Sequence, residues 1–298
     1  MNLQALRIFK AVVTEGGVAR AAECLNYVQS NVSTRLMQLE EQLGVPLFER
    51  VGRKLVITEG GIKLLAYAEQ LLQLADEAKS AVRGEGKPAG TLRIGSMETA
   101  AALRLPVALA SFHSRFPDVH LELETGTTAA VLQQLLARSI DVALVAGPIV
   151  SDALQSHKVI DEELTLLTDI AHPEVTSPAD IRNRTILSFR AGCVYRERLE
   201  RWFARAAIAP RKIIEFGTFE AIVACVAAGM GVALMPKELL ARRELLQTIK
   251  LHPLPEDLAK VQTSLVWRND TKHHISLNAF VVCFLEQPLR AQQLPMPM

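Results

Sequence analysis

The side chains best suited to specific chemistry lie between residues 29 and 54, and that chemistry is binding to a DNA duplex. On a helix over about residues 29–44, small polar side chains share one face, which can enter a major groove and hydrogen-bond to base edges. The face and its flanks consist of Gln29, Ser30, Asn31, Ser33, Thr34 and Arg35. A basic turn follows with Arg50, Arg53 and Lys54, whose cations suit phosphate or the minor groove. Taken alone, the helix face is equally well interpreted as a solvated surface, and the basic turn tips the balance toward DNA.

Helices and a hairpin are predicted to position these side chains. Apolar residues at helical spacing predict a first helix that ends at Gly16 and Gly17, and a short second helix over about residues 18–25. The third helix carries an apolar stripe on its other side, made of Val32, Leu36, Leu39 and Leu43. The β-rich segments around the basic turn predict two strands that form a wing. A helix, a turn and a second helix in this order can set one helix into a major groove.

A long helix over residues 59–83 is predicted next, with Thr58 and Glu59 at its N-terminal cap. Its apolar residues repeat at alternating four- and three-residue steps, as in a coiled-coil seam that Leu65 and Leu72 widen. The seam consists of Leu64, Ala68, Leu71, Ala75, Ala78 and Val82. A dimer would bury it, and the alternative is that the seam packs on the chain's own C-terminal domain. Glycines and a proline between residues 84 and 90 predict a hinge.

Strands and helices alternate from residue 91 onward, which predicts parallel sheets with helices on their faces. The chain crosses near Glu163 into a second lobe, and residues 265–268 are expected to return to the first. Ligands of such sheets lie beyond the carboxyl ends of the strands. The residues selected there are Ser96, Met97, Glu98, Thr127, Thr128, Arg190, Cys193, Thr218 and Phe219. Hydroxyls and helix N-termini suit a carboxylate, whereas Glu98 and Glu220 could instead select an amine or an amino acid.

The first 60 or so residues resemble the winged helix-turn-helix of LysR-type transcriptional regulators. The resemblance rests on AAECLNYVQSNVSTRLMQLEEQLGVPLFER and the following LVITEGG. It implies a sequence-specific DNA-binding regulator, a homodimer or homotetramer on an interrupted palindromic operator, and a C-terminal domain that binds a small-molecule effector. Three departures stand out: Gly17 and Val28 replace hydroxyl residues that usually cap the second and third helices, and Met37 replaces a frequent cation.

The expected fold is an N-terminal all-α winged helix-turn-helix with a long linker helix, followed by an α/β part of two Rossmann-like lobes that resembles a periplasmic binding protein. The expected domains are residues 1–58 for DNA binding, 59–83 for the dimerisation linker helix, 84–90 for the hinge and 91–298 for effector binding. Within the last, the first lobe covers about residues 91–163 and 268–298, and the second about 164–267.

Composition narrows the remaining classes of function. The chain is 49% hydrophobic with a net charge of +1, so any DNA-binding charge must be local. The four cysteines have no metal-site spacing, and buried apolar thiols are expected; the alternative is that Cys193 senses oxidants. The pair His273 and His274 is expected in a solvated loop, so no metal or cofactor is expected.

No signal peptide or membrane span is apparent, which predicts a soluble, cytoplasmic protein. No catalytic motif indicates an enzyme. The alternative function is a solute-binding protein whose N-terminal helices only dimerise.

Overall fold

The computed structural model describes residues 1–52, 54–83, 87–240, 247–271 and 274–287. The chain divides into two compact units, Met1–Gly86 and Lys87–Met298. Within the described ranges, no helix combines the length and the apolar character that a bilayer crossing requires. The predicted hinge at residues 84–90 lies partly outside the described residues.

The first unit contains four helices and one hairpin among its described residues. In chain order they are α1 (Leu3–Thr14), α2 (Val18–Cys24), α3 (Gln29–Leu43), β1 (Phe48–Val51), β2 (Lys54–Ile57) and α4 (Glu59–Arg83). Gly16 ends α1 in the left-handed region with φ of 68°, which glycine adopts at little cost. No side chain caps α2 at Gly17, so the expected loss of that cap is confirmed. The Thr58 hydroxyl accepts a hydrogen bond from the Gly61 amide at 3.1 Å and caps α4 as predicted.

Residues of the predicted coiled-coil seam lie in two environments on α4. Ala68 and Leu72 are buried against the first unit's own helices, which neither alternative considered from the sequence had foreseen. An ion pair from Arg7 to Asp76, at 2.6 Å, also joins α1 to α4. Leu71 and Val82 remain exposed, at 39% and 89% of their surface. The seam interpretation was therefore wrong for the side of α4 that completes the core of the first unit.

The second unit alternates strands and helices. The elements are β3 (Gly90–Ser96), α5 (Glu98–Arg115), β4 (Val119–Thr125), α6 (Thr128–Leu136), β5 (Val142–Ala146), β6 (Leu154–Asp169), β7 (Thr185–Phe189), α7 (Val194–Arg205), β8 (Lys212–Phe216), α8 (Phe219–Ala227), β9 (Ala233–Pro236), β10 (Ile249–His252), α9 (Glu256–Ala259), β11 (Lys260–Arg268) and α10 (Ile275–Leu285). Short 3-10 helices lie at Pro178–Ile181, Lys237–Leu240 and Asn269–Thr271.

One long strand, β6, connects the two lobes of this unit. Its first half pairs antiparallel with β11, and its second half pairs with β9 and β10. The main sheet has the order β10-β6-β11-β5-β3-β4, in which β3 is parallel to both β4 and β5. A parallel pair, β7 and β8, belongs to the second lobe and is bridged to Val232 through Ile186. The parallel strands expected from the alternating pattern are present, and β11 returns to pair with β5.

Two expectations about single residues were wrong. His274 is 5% exposed rather than solvated, because its Nδ1 accepts the Leu277 amide and its Nε2 lies 3.8 Å from a carboxylate oxygen of Asp141. His273 lies outside the described residues. The free thiol of Cys24 is exposed, and only Cys193 and Cys283 are buried as expected of all four cysteines.

Candidate functional site

The polar face of α3 is accessible and its apolar stripe supports it from below. Val32, Leu36 and Leu39 are buried in the first unit's core, whereas Leu43, in the last turn, is 37% exposed. The accessible side chains are Gln29, Ser30 and Thr34, which are exposed, and Asn31, Ser33 and Arg35, which are half-buried. The helix therefore offers hydrogen-bonding groups on the side away from the core, as base recognition in a groove requires.

The N-terminus of α3 has no hydroxyl cap, and a carboxylate near its C-terminus links the helix to the hairpin. Val28 occupies the N-cap position without a side-chain hydrogen bond and is 68% exposed, so the first amides of the helix stay available to an anion. Near the other end, the Glu40 carboxylate accepts the amides of Leu47 and Phe48 at 2.7 and 3.2 Å. This link fixes the first strand of the hairpin to α3, and no local sequence pattern predicts it.

The hairpin forms the expected wing. Its strands β1 and β2 pair antiparallel, and Arg50 opposite Leu55 is exposed. The turn passes through Gly52 with φ of 65°. Arg53 lies outside the described residues, as does the side chain of Lys54. One predicted cation, Arg50, is thus seen on the exposed edge of the wing that continues from α3.

A cavity of about 440 Å³ lies in the second unit, where strands of both lobes end. It is lined by Met97, Glu98, Thr99, Thr125, Gly126, Thr127, Thr128, Ala130, Phe189, Arg190, Ala191, Cys193, Tyr195, Phe216 and Gly217. The position agrees with the rule that ligands lie beyond the carboxyl ends of parallel strands. Its volume suits a small organic molecule.

Most of the effector residues predicted from the sequence lie together at this cavity. The six that line it are Met97, Glu98, Thr127, Thr128, Arg190 and Cys193. Ser96 does not, because it shares the buried face of β3 with Leu92 and Ile94 and donates its hydroxyl proton to the Met97 carbonyl at 2.9 Å. Thr218 and Phe219 are adjacent to the lining residue Gly217, and the Thr218 hydroxyl caps α8 by accepting the Ala221 amide at 3.3 Å.

Sequence reasoning missed several lining residues. Phe189 and Phe216 end β7 and β8, so the strand-end rule could have identified both. Tyr195 lies in the first turn of α7, and no sequence signal separates it from a core aromatic residue. Gly192 brings the loop before α7 against α6, since a Cβ there would lie 2.9 Å from the Cβ of Ala129. This close approach lies next to the lining residues Thr128 and Cys193.

Glu98 is the carboxylate in the lining with a perturbed pKa. Burial raises the pKa of Glu98 to about 7; a hydrogen bond from the Phe219 amide opposes the rise, and the nearby charge of Glu220 adds to it. Its Oε1 accepts that amide at 3.2 Å, whereas Oε2 is buried without a hydrogen-bond partner among the described residues. An acceptor left in this way costs about 1–3 kcal/mol, so Glu98 is poised for a ligand that donates a hydrogen bond.

Cys193 has the chemistry of an unreactive thiol. It precedes α7 and is 5% exposed. Burial raises the pKa of the Cys193 thiol, and this outweighs the lowering by the amides of Tyr195 and Arg196. Because the thiolate is the reactive form, the structure favours a packing role in the cavity wall over the sensing of oxidants.

Two residues that line the cavity, Tyr195 and Thr99, also belong to a buried polar cluster. The hydroxyl of Tyr195 donates to Glu162 at 2.9 Å, so the Thr99 hydroxyl, 3.1 Å away, is left to donate to Tyr195. The other oxygen of Glu162 lies 3.9 Å from Nε of Arg104, whose guanidinium also pairs with Glu238. Burial raises the pKa of Glu162, and Tyr195 and Arg104 lower it. The cluster joins α5, β6, α7 and the Lys237–Leu240 helix, so elements of both lobes meet at the cavity through it.

No group of histidine, cysteine and carboxylate side chains within the described ranges could hold a metal ion. The glycines at 229 and 231 follow the end of α8 and precede β9, which is not the order of elements in a phosphate loop. The Met230 amide bonds back to the Cys225 carbonyl at 3.0 Å, and Gly229 has φ of 78°.

Known proteins match both units. The profile "Bacterial regulatory helix-turn-helix protein, lysR family" matches residues 3–62, and "LysR substrate binding domain" matches residues 85–288. The HTH-type transcriptional regulator GltR of Bacillus subtilis (strain 168) is 39% identical over 281 residues, 94% of this chain and 95% of GltR. The regulator YofA of the same strain is 42% identical over 265 residues, 89% of this chain and 92% of YofA.

Solved structures agree with these relatives. Full-length CbnR in complex with its target DNA has a TM-score of 0.65 at 25% identity, covering 95% of this chain and 99% of CbnR. A full-length OxyR of Pseudomonas aeruginosa has a TM-score of 0.72 at 21% identity, covering 100% and 99%, which shows likeness of fold. From the matched profiles and the identity to the curated regulators, the chain belongs to the LysR family of transcriptional regulators.

Proposed function

We propose that α3 enters the major groove of an operator and that the second unit's cavity binds the small molecule that controls transcription. The observation that carries the DNA part is the division of α3 into a buried apolar stripe and an accessible polar face beside an exposed cationic wing. Membership of a family of transcriptional regulators, rather than of solute-binding proteins or enzymes, supports this function over the alternatives.

The proposed roles on DNA follow from side-chain chemistry. Gln29, Ser30, Asn31, Ser33, Thr34 and Arg35 contact base edges or the adjacent phosphates, and Arg50, Arg53 and Lys54 contact the backbone or the minor groove. The amide and hydroxyl groups supply sequence preference, and the cations supply affinity that depends on salt. In a dimer or tetramer, paired α3 helices at a fixed spacing read an interrupted palindrome.

The proposed control step uses the cavity. A ligand held by Met97, Glu98, Thr127, Thr128, Arg190 and Cys193, with Thr218 and Phe219 at its edge, contacts residues of both lobes. Such a ligand favours whichever arrangement of the lobes it contacts best. Binding of the effector and binding of DNA are then linked, and each changes the affinity for the other by the same factor.

Fluorescence anisotropy with a labelled duplex tests the function. The full chain is titrated into the DNA that lies upstream of its own gene, and into a shuffled duplex of equal length, over a series of salt concentrations. We expect at least ~1,000-fold tighter binding to the upstream duplex at physiological salt and a linear fall of log affinity with log salt. Equal affinity for both duplexes, or no binding at low ionic strength, contradicts the proposal.

A further inference from the structure

Charged side chains of both signs lie at the cavity, and a purely acidic ligand would pair favourably with only one of them. Glu98 brings a carboxylate, and Glu220 on the adjacent α8 adds negative potential there. The exposed Arg190 lines the same cavity from the loop after β7. A ligand carrying only a carboxylate is attracted by Arg190 and repelled by Glu98 and Glu220. A ligand carrying only an amine meets the reverse.

The hydrogen bonds of Glu98 also favour a ligand with an amino group. One of its oxygens accepts the Phe219 amide, and the other is buried without a partner among the described residues. An ammonium group supplies both the missing donor and the missing positive charge, and such charge-assisted hydrogen bonds are stronger than neutral ones. A second carboxylate at this point supplies neither unless it brings a proton.

A carboxylate of the ligand also has partners among the residues at the cavity. Thr127 caps α6 with its side chain, and the backbone of Thr128 begins that nine-residue helix at the cavity. The positive end of the helix and the guanidinium of Arg190 both favour a carboxylate. The cavity therefore presents one acidic and one basic region to a single small molecule.

We infer that the cavity binds an amino acid or a similar zwitterion, with its ammonium group against the Glu98 carboxylate and its carboxylate against Arg190 and the N-terminus of α6. This inference rests on the proposed function, because it assigns the chemical class of the effector to the same cavity. It adds that Glu98 is the residue that selects for the amino group.

Matched ligand pairs provide the test. Each standard amino acid, together with β-alanine and 4-aminobutanoate, is paired with the acid that lacks only the amino group. Thermal shift of the full chain identifies pairs that bind, and isothermal titration then gives the dissociation constants. We expect at least one amino compound to bind ~10-fold or more tightly than its deaminated partner. Glu98→Gln should reduce that preference to less than about threefold, whereas the isosteric control Glu286→Gln, on the exposed end of α10, should retain it.

The pH dependence of ligand affinity tests whether Glu98 binds the ligand as the ionised carboxylate or as the neutral acid. The groups around it are Glu220 and the Phe219 amide on α8, Arg190 after β7, and Cys193 and Tyr195 at the start of α7. With a pKa of about 7, about a tenth of Glu98 is ionised at pH 6 and about nine tenths at pH 8. An amino compound should therefore bind about tenfold more tightly at pH 8.

The outcomes also separate this inference from the proposed function. Equal or tighter binding of the deaminated acids overturns the inference and leaves effector control intact. Absence of binding by every member of both series overturns it too. The affinity of the same preparations for upstream DNA is measured in parallel, and only its failure removes the regulatory function.

Discussion

Replacing Arg104 with methionine removes the cation of the buried cluster that lies behind the cavity. The side chains of Arg104 and Glu162 are each 2% exposed, and that of Glu238 is 31% exposed. Breaking a buried pair by removal of one partner costs about 3–5 kcal/mol, because the other charge stays in the interior. We expect the lower end, about 3 kcal/mol, since Glu238 can turn toward solvent and Glu162 can bind a proton.

Unfolding in urea followed by tryptophan fluorescence measures this cost. Both tryptophans, Trp202 and Trp267, belong to the second unit, so the signal of the full chain reports on that unit. The matched control is Arg205→Met, which removes an ion pair to Asp257 that is 67% and 54% exposed. Exposed pairs contribute about 0–1 kcal/mol, so the control should remain close to wild type.

The loss in free energy of unfolding caused by Arg104→Met should depend on pH, and the direction of that dependence follows from Glu162. Without Arg104 the pKa of Glu162, already raised by burial, should rise further in the folded protein. When the pKa of a carboxyl group is higher in the folded than in the unfolded protein, the protein loses stability as pH rises from the ordinary pKa through the raised one. The deficit of Arg104→Met should therefore be largest at neutral pH and shrink toward pH ~5, and Glu162→Gln in the same chain should restore part of it. A variant as stable as Arg205→Met, or a deficit that Glu162→Gln leaves unchanged, would show that no uncompensated charge of Glu162 destabilises the variant.

Three further predictions concern separate parts of the molecule. Arg50→Ala should weaken binding to all DNA sequences alike and lower the salt slope by about one, as measured by anisotropy on matched and shuffled duplexes; loss confined to one base position contradicts a phosphate contact. Peroxide should affect DNA binding of the wild type and of Cys193→Ser to the same extent, because burial raises the pKa of Cys193; a loss that Cys193→Ser abolishes contradicts this. Gly231→Ala should cost about 1–3 kcal/mol, because the added Cβ meets the Thr185 carbonyl oxygen at 2.3 Å; Gly217→Ala, with nothing within 4 Å, should cost less in the same urea assay.

Local periodicity accounts for what the sequence predicted well. The stripe of Val32, Leu36 and Leu39, the cap at Thr58 and the glycine exit at Gly16 each depend on residues within a turn or two, and all three are present. The strand-end rule correctly placed Glu98 and Arg190 at one cavity, because each residue follows the end of a strand within two positions.

Contacts between distant segments account for what the sequence could not provide. The pairing of Arg104 with Glu162, and the hydrogen bond from Tyr195 to Glu162, depend on β6 crossing between the lobes. The strand-end rule selected Ser96 without regard to strand parity, which directs its hydroxyl into the core. The periodic seam on α4 did not distinguish packing on the chain's own helices from packing on a second copy, because both bury the same residue types.

The most direct test of the account is the affinity of a Thr34→Glu variant for the upstream duplex. Thr34 is exposed on the polar face of α3, so a carboxylate there meets base edges and phosphates without disturbing the core. The charge-matched control is Gln133→Glu, an exposed position on α6. We expect Thr34→Glu to lose at least ~10-fold in affinity, in the range of a lost base contact, with unchanged unfolding of the protein, while Gln133→Glu binds as wild type. Wild-type affinity in Thr34→Glu would contradict the placement of α3 in the groove.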